Sequence, residues 1–149
     1  MTERISPRLR TMVDALPLRE GMRVLEIGCG PGVAARAVQQ RIGNGYVLGI
    51  DRSNKAIQQA VAMSPDLIAS GVLAYRCVAI ENFELAIDEA PFDLVFAIRV
   101  GALDGRHPEL EREALARIRR AIASDGRLFV DGIERGELRK GTAGVRGTA

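Results

Sequence analysis

The sequence predicts an α/β domain: a three-layer, doubly wound, mostly parallel sheet of about five strands. Three observations carry that expectation. Apolar residues switch along the chain between helical spacing and short continuous runs, as they do when helices alternate with buried strands. No hairpin dipeptide joins one strand candidate to the next, so each pair needs a crossover, which makes neighbours parallel. The candidates "RVLEI", "YVLGI" and "FDLVFAIRV" are almost continuously apolar, so both faces of the sheet are covered.

Each element has its own reason. In "ISPRLRTMVDAL", Ile5, Leu9, Met12, Val13 and Leu16 share one helical face, Ser6 is placed to cap it, and Pro7 fills the first helical position. Strand one is "RVLEI". Helical spacing runs from Val33 to Ile42 and stops at "GNG". "YVLGI" is the second strand and ends at Asp51. Ser53 caps a helix reaching Met63, which Pro65 interrupts. "VLAYRCVAI" is the third strand, with Cys77 read as core, and "FDLVFAIRV" the fourth. Pro108 opens a long helix that buries Leu110, Ala114, Leu115, Ile118, Ala121 and Ile122 and pairs Glu113 with Arg117 on its outer face. "RLFVDG" is the fifth strand. The domain is placed at residues 1–132, with its first helix inside 1–18. Residues 133–149, "IERGELRKGTAGVRGTA", are glycine-rich, charged and aperiodic and read as a flexible tail.

Composition narrows the function classes. The chain has 149 residues, 47% hydrophobic, enough for one domain with a core. Its net charge of +2 is too small to argue for nucleic acid, and much of the excess sits in Arg135, Arg139, Lys140 and Arg146 of the tail. With no Trp and two Tyr, no stacking platform for single strands is visible. No apolar run approaches the roughly 20 residues that span a bilayer. The charged start "MTERISPRLR" lacks the apolar segment of a secretory signal. Cys29 and Cys77 form no paired motif and there is a single His, so the expectation is a reduced cytoplasmic protein without disulfides or a metal site.

The chemistry concentrates in "RVLEIGCGPG". In doubly wound sheets the ligand lies outside the carboxyl ends of the strands. Glu26 stands one residue before the end of strand one, where an unpartnered buried carboxylate would be costly. It either pins the glycine loop by accepting its N–H groups, or also meets a cationic ligand. The glycines permit a tight turn and close approach of a ligand to the backbone. Their spacing is GxGxG, from Gly28, Gly30 and Gly32, and Val33 stands where the dinucleotide fingerprint has its third glycine. Pro31 also removes a donor that a pyrophosphate would use. Asp51, closing strand two, is spaced to take the hydroxyls of a ribose, a feature shared by NAD and other nucleosides.

Here the chain resembles the class I S-adenosylmethionine-dependent methyltransferases, through "VLEIGCGPG" followed by "GIDRS", over about Leu18 to Asp131. The resemblance implies a Rossmann-like fold and S-adenosyl-L-methionine as cofactor. It implies that Gly28, Gly30 and Gly32 line the methionine part, with Cys29 offering backbone there. Glu26 would order the loop and approach the amino group, Asp51 would bind the ribose, and Arg52 would stack near the adenine. Ala79, Ile80 and Glu81 of "VAIENF" would border the adenine, with Ala79 where many members have Asp. The end of strand four, Ile98 and Arg99, would face the methyl group. It lacks the Asn-Pro-Pro-Tyr signature of enzymes that methylate base or amide nitrogens. The family closes its sheet with two more strands than this chain supplies, which implies a shortened or minimal variant, or a homodimer joined at an exposed fifth-strand edge.

Methyl transfer needs no triad, but a hydroxyl or ammonium acceptor is helped by a base. His107 in "LDGRHPEL" is the candidate, or else merely the cap of the following helix, with Asp104 and Asp131 as weaker ones. Arg99 either binds an acidic substrate group or pairs with Glu26 or Glu81. A reactive Cys29 is the remaining option. The expected function is methyl transfer to a small molecule. A non-catalytic cofactor-binding or interaction domain and an NAD-dependent oxidoreductase are its rivals. The oxidoreductase is disfavoured by the loop spacing and because both Tyr46 and Tyr75 fall within strands.

Overall fold

The computed structural model describes residues 4–138. Among these residues are five α-helices, Pro7–Asp14 (α1), Val33–Ile42 (α2), Asn54–Ala62 (α3), Pro65–Ala69 (α4) and Pro108–Ala121 (α5), and six strands. The strands are Arg23–Ile27 (β1), Tyr46–Asp51 (β2), Leu73–Cys77 (β3), Phe92–Ala97 (β4), Ile122–Val130 (β5) and Ile133–Glu134 (β6). Their order in the sheet is β3-β2-β1-β4-β5-β6. All pairings are parallel except β5 with β6. The chain runs outward from β1 on one side and resumes on the other at β4, so the switch point of this doubly wound sheet lies between β1 and β4.

Strand alternation divides the core. Leu25 and Ile27 of β1 join Val95 and Ala97 of β4 in the layer under α5, whereas Val24, Leu94 and Phe96 pack with α1 and α2. The expected caps form: Ser6 Oγ accepts the Leu9 N–H at 3.2 Å, and Ser53 Oγ accepts the Ala56 N–H at 3.2 Å. The Glu113–Arg117 pair closes at 2.9 Å, and Arg117 also reaches Glu84.

Four expectations need correction. Cys77 is exposed, because β3 is an edge strand whose last residue has no cover. Ile122 is buried, yet it opens β5 instead of closing α5, since its backbone has already turned to φ −90°, ψ 141°. β5 therefore starts well before "RLFVDG". Among the described residues the sheet has six strands, and the edge of β5 is partly paired within the chain: Phe129 opposes Glu134, Val130 opposes Ile133, and the Arg135 N–H donates to the Leu128 carbonyl at 2.8 Å. The Arg127 and Glu134 side chains bridge the same hairpin at 2.8 Å. Finally, residues 133–138 continue the fold beyond 132, since Leu138 is 4% exposed and joins the α5-side core. Arg139, Lys140 and Arg146 lie outside the described residues. Leu138→Ala is expected to cost about 2–4 kcal/mol in thermal or urea unfolding. An unchanged midpoint would return this segment to the tail.

Candidate functional site

A cleft of about 250 Å³ opens at the carboxyl ends of β1, β2 and β4, at the switch point. Gly28, Asp51, Arg52, Ala79, Ile80, Glu81, Arg99 and His107 line it, all of them residues singled out in the sequence. Glu26, Cys29, Gly30, Gly32 and Ile98 do not. Ile98 follows the alternation of Leu94 and Phe96 and packs on the α2 side of the sheet, away from the cleft. Val78, Val100, Ala102, Arg106 and Leu110 are further parts of the wall, with no signal in the sequence beyond their position after β3 and β4.

The glycine loop is held differently from the expectation. Its tether is Asp51: the Gly30 N–H donates to Oδ2 at 2.9 Å, while Oδ1 accepts the Ser53 N–H at 2.9 Å. The Cys29 N–H is taken by the Ile50 carbonyl and the Gly32 N–H by the Cys29 carbonyl. None of these three donors goes to Glu26. From behind, Arg36 Nη1 donates to the Pro31 carbonyl at 2.8 Å and to Ser64 Oγ at 3.2 Å, and Ser64 Oγ meets the Tyr75 hydroxyl at 3.1 Å. Gly30 adopts φ +52° with none of the described residues within 4 Å of where a Cβ would stand, so the loop leaves open room there.

Glu26 is 3% exposed and shares the α2 face of β1 with Val24. The N-cap of α2 is Gly32, which has no side chain to cap with. The Ala35 backbone N–H bonds the Glu26 carboxyl instead, which brings an acid to the positive end of the helix. Its Oε1 is buried without a hydrogen-bond partner among the described residues. Burial pushes the Glu26 carboxyl up to about 8, the nearby Asp51 charge adds to this, and the Ala35 N–H and Arg36 oppose it. Burial, together with Glu26 and Asp51, also pushes the Cys29 thiol far up, so this buried cysteine is inert rather than reactive.

On the opposite wall, Arg99 follows β4 at φ +56° and its N–H donates to Asp131 Oδ1 at 2.8 Å. Its guanidinium pairs with neither Glu26 nor Glu81 among the described residues. Asp104 is occupied by Arg106, which holds it in two contacts of 2.9 and 3.0 Å and keeps its carboxyl below the usual range. His107 stands at the N-cap of α5 without a side-chain capping bond; Nδ1 lies 3.4 Å from Glu109 Oε1.

The sheet order and the cleft at its switch point define the doubly wound α/β class of domain. The chain matches the family model described as "Methyltransferase domain" over residues 24–126, more than half its length, and it belongs to that family, the S-adenosylmethionine-dependent methyltransferases. It is 35% identical over 92 residues to the ubiquinone biosynthesis O-methyltransferase of Chromobacterium violaceum, covering 61% of this chain and 37% of that protein. It is 29% identical over 127 residues to the nocamycin O-methyltransferase of Saccharothrix syringae, covering 85% and 43%. The fold is shared with the YcgJ protein of Bacillus subtilis, at a TM-score of 0.66 and 20% identity over 83% of this chain and 49% of that one. The chain thus spans 37% and 43% of these two curated relatives. The family match sets the oxidoreductase reading aside.

The residues present fit the family's cofactor. A buried, orphaned carboxyl oxygen lies near a loop with open room at Gly30, and both Asp51 oxygens carry one backbone bond each, so each keeps acceptor capacity for a diol. Among the described residues, no helix is long and apolar enough to cross a membrane.

Proposed function

We propose that this domain binds S-adenosyl-L-methionine and directs methyl transfer to the hydroxyl oxygen of a small molecule in the cytoplasm. The observation that carries the reading is the tether between Gly30 and Asp51, a residue of the cleft wall, which brings the acid of β2 and the glycine loop of β1 to one place. The names of the two O-methyltransferase relatives support an oxygen acceptor.

When bound, the cofactor supplies an activated methyl group on a sulfonium leaving group. Asp51 would hold the ribose hydroxyls, Glu26 would neutralise the amino group, and Ile80 and Arg52 would flank the base. Gly28, Gly30, Gly32 and the Cys29 backbone would bound the amino-acid part, and Ala79 and Glu81 the adenine edge. His107 would accept the proton of the attacking hydroxyl. With Nδ1 turned to Glu109, Nε2 is the nitrogen left for the acceptor.

Calorimetric titration with S-adenosylhomocysteine, with NAD as control, tests the cofactor site. Binding of the first alone is expected; binding of neither sinks the reading. Labelled methyl transfer to a panel of phenols and alcohols tests the reaction, and binding without transfer would leave a cofactor-holding module. His107→Asn keeps a good N-cap for α5. It is expected to slow turnover about 100-fold with S-adenosylhomocysteine affinity unchanged. Equal turnover would make His107 a helix-start residue only.

A further inference from the structure

We propose that the acceptor carries a carboxylate, bound by Arg99 on the β4 side of the cleft; this rests on the methyl-transfer reading above. The first support is the backbone of Arg99. It is left-handed, at φ +56°, a conformation that strains an ordinary residue and that glycine adopts freely. The strain is held from both sides: Asp131 Oδ1 accepts the Arg99 N–H at 2.8 Å, and Arg106 Nη2 donates to the Arg99 carbonyl at 2.7 Å. Asp131 is itself left-handed, at φ +51°, and its N–H is fixed on the Ala97 carbonyl at 2.9 Å. A turn so braced, built around a long cation instead of a glycine, points to a use for the side chain.

The charges around it define that use. Arg106 is neutralised by Asp104, and His107 has Glu109. Arg99 has no ion-pair or hydrogen-bond partner for its guanidinium among the described residues, though it lines the cleft. The Arg52 guanidinium is likewise unpaired among the described residues, but it stands at the end of β2 beside Asp51, on the ribose side. The acceptor side therefore presents one unmatched guanidinium among the described residues, whose planar fork suits a carboxylate. A phosphate dianion would meet Glu81 and Asp51 of the same cleft, neither of which has an ion-pair partner among the described residues. Beside Arg99 the wall is apolar, with Val100, Ala102 and Leu110, which suits an aromatic or aliphatic body attached to the acid.

The test uses protein saturated with S-adenosylhomocysteine and three matched pairs of probes: 4-hydroxybenzoate, 3,4-dihydroxybenzoate and 4-hydroxyphenylacetate, each against its primary amide. On at least one scaffold the acid is expected to bind about tenfold or more tightly than the amide, in keeping with a charge-assisted contact. Inorganic phosphate is expected not to displace it. Arg99→Gln is expected to bring the acid-to-amide ratio close to one with S-adenosylhomocysteine affinity unchanged, and Arg99→Lys to retain part of the preference. Equal binding of acid and amide, no binding of any acid, or a preference that survives Arg99→Gln would overturn the proposal while the cofactor site stands. Failure of S-adenosylhomocysteine itself to bind would overturn both.

Discussion

Gly32→Ala is expected to abolish measurable S-adenosylhomocysteine binding and to lower the melting temperature by roughly 10 °C. Two costs add. Gly32 sits at φ +89°, where an L side chain is strained whatever space surrounds it. A Cβ there would also collide with the Tyr75 hydroxyl and stand 2.7 Å from Arg36 Nη1. Neither neighbour can step aside cheaply, because the hydroxyl is bonded to Ser64 Oγ and Arg36 holds both Ser64 and the Pro31 carbonyl. Together these come to about 2–4 kcal/mol. Displacing Arg36 also releases the loop from behind, so the loss of affinity should exceed the loss of stability. Tyr75→Phe in the Gly32→Ala background removes the colliding oxygen and is expected to restore part of the stability but not the backbone strain. Gly30→Ala is the contrast. None of the described residues lies within 4 Å of its Cβ position, so stability should fall by only about 1 kcal/mol, from the left-handed φ. Ligand affinity should still suffer, because the methyl occupies the open room beside the loop. If Gly32→Ala melts and binds like the parent, the buttress of Arg36, Ser64 and Tyr75 does not shape the loop.

Most of the sheet is legible in the sequence, because parallel strands declare themselves as apolar runs and their crossovers as amphipathic spacing. The glycine spacing and Asp51 are legible for the same local reason: both are set by where a strand must end. What is not legible depends on contacts between segments far apart. Gly30 and Asp51 are 21 residues apart, and their bond needs the register of β1 on β2, which pairs Ile27 with Ile50. Nearness in sequence instead assigns the tether to Glu26. Arg106 braces Arg99 through a loop with no periodicity to read. Ile98 is a case of another kind. Its alternation with Leu94 and Phe96 already sets it on the α2 face, and only the family resemblance points it to the cleft. Leu138 gives no signal because one buried apolar residue in a glycine-rich charged stretch produces no pattern.

Glu26→Gln is expected to flatten the pH dependence of both stability and cofactor affinity. In the unfolded chain this carboxyl titrates near its ordinary 4.5, whereas in the fold it holds its proton to about 8. Between those values the folded state binds the extra proton, so unfolding free energy declines as pH rises from about 4.5 through 8. The loss is a few kcal/mol at most, since each pH unit separating the two titrations is worth about 1.4 kcal/mol. Urea unfolding of the ligand-free protein at about pH 6 and pH 8 should show this fall in the parent and a smaller one in Glu26→Gln, which carries no charge to bury. Ligand binding has the opposite slope. An ammonium bound near Oε1, as proposed above, would favour the carboxylate, so binding would expel the proton, and affinity for S-adenosylhomocysteine should rise about tenfold or more from pH 6 to pH 8. Calorimetry in two buffers of different ionisation enthalpy would read that proton directly. At about pH 8 the glutamine should bind about 10–100-fold more weakly, having lost a charge-assisted contact. At about pH 6 the gap should narrow, because the parent is then protonated as well. Parallel affinity curves for the two proteins, with no proton released by either, would leave Glu26 as the cap of α2 through Ala35 and nothing more.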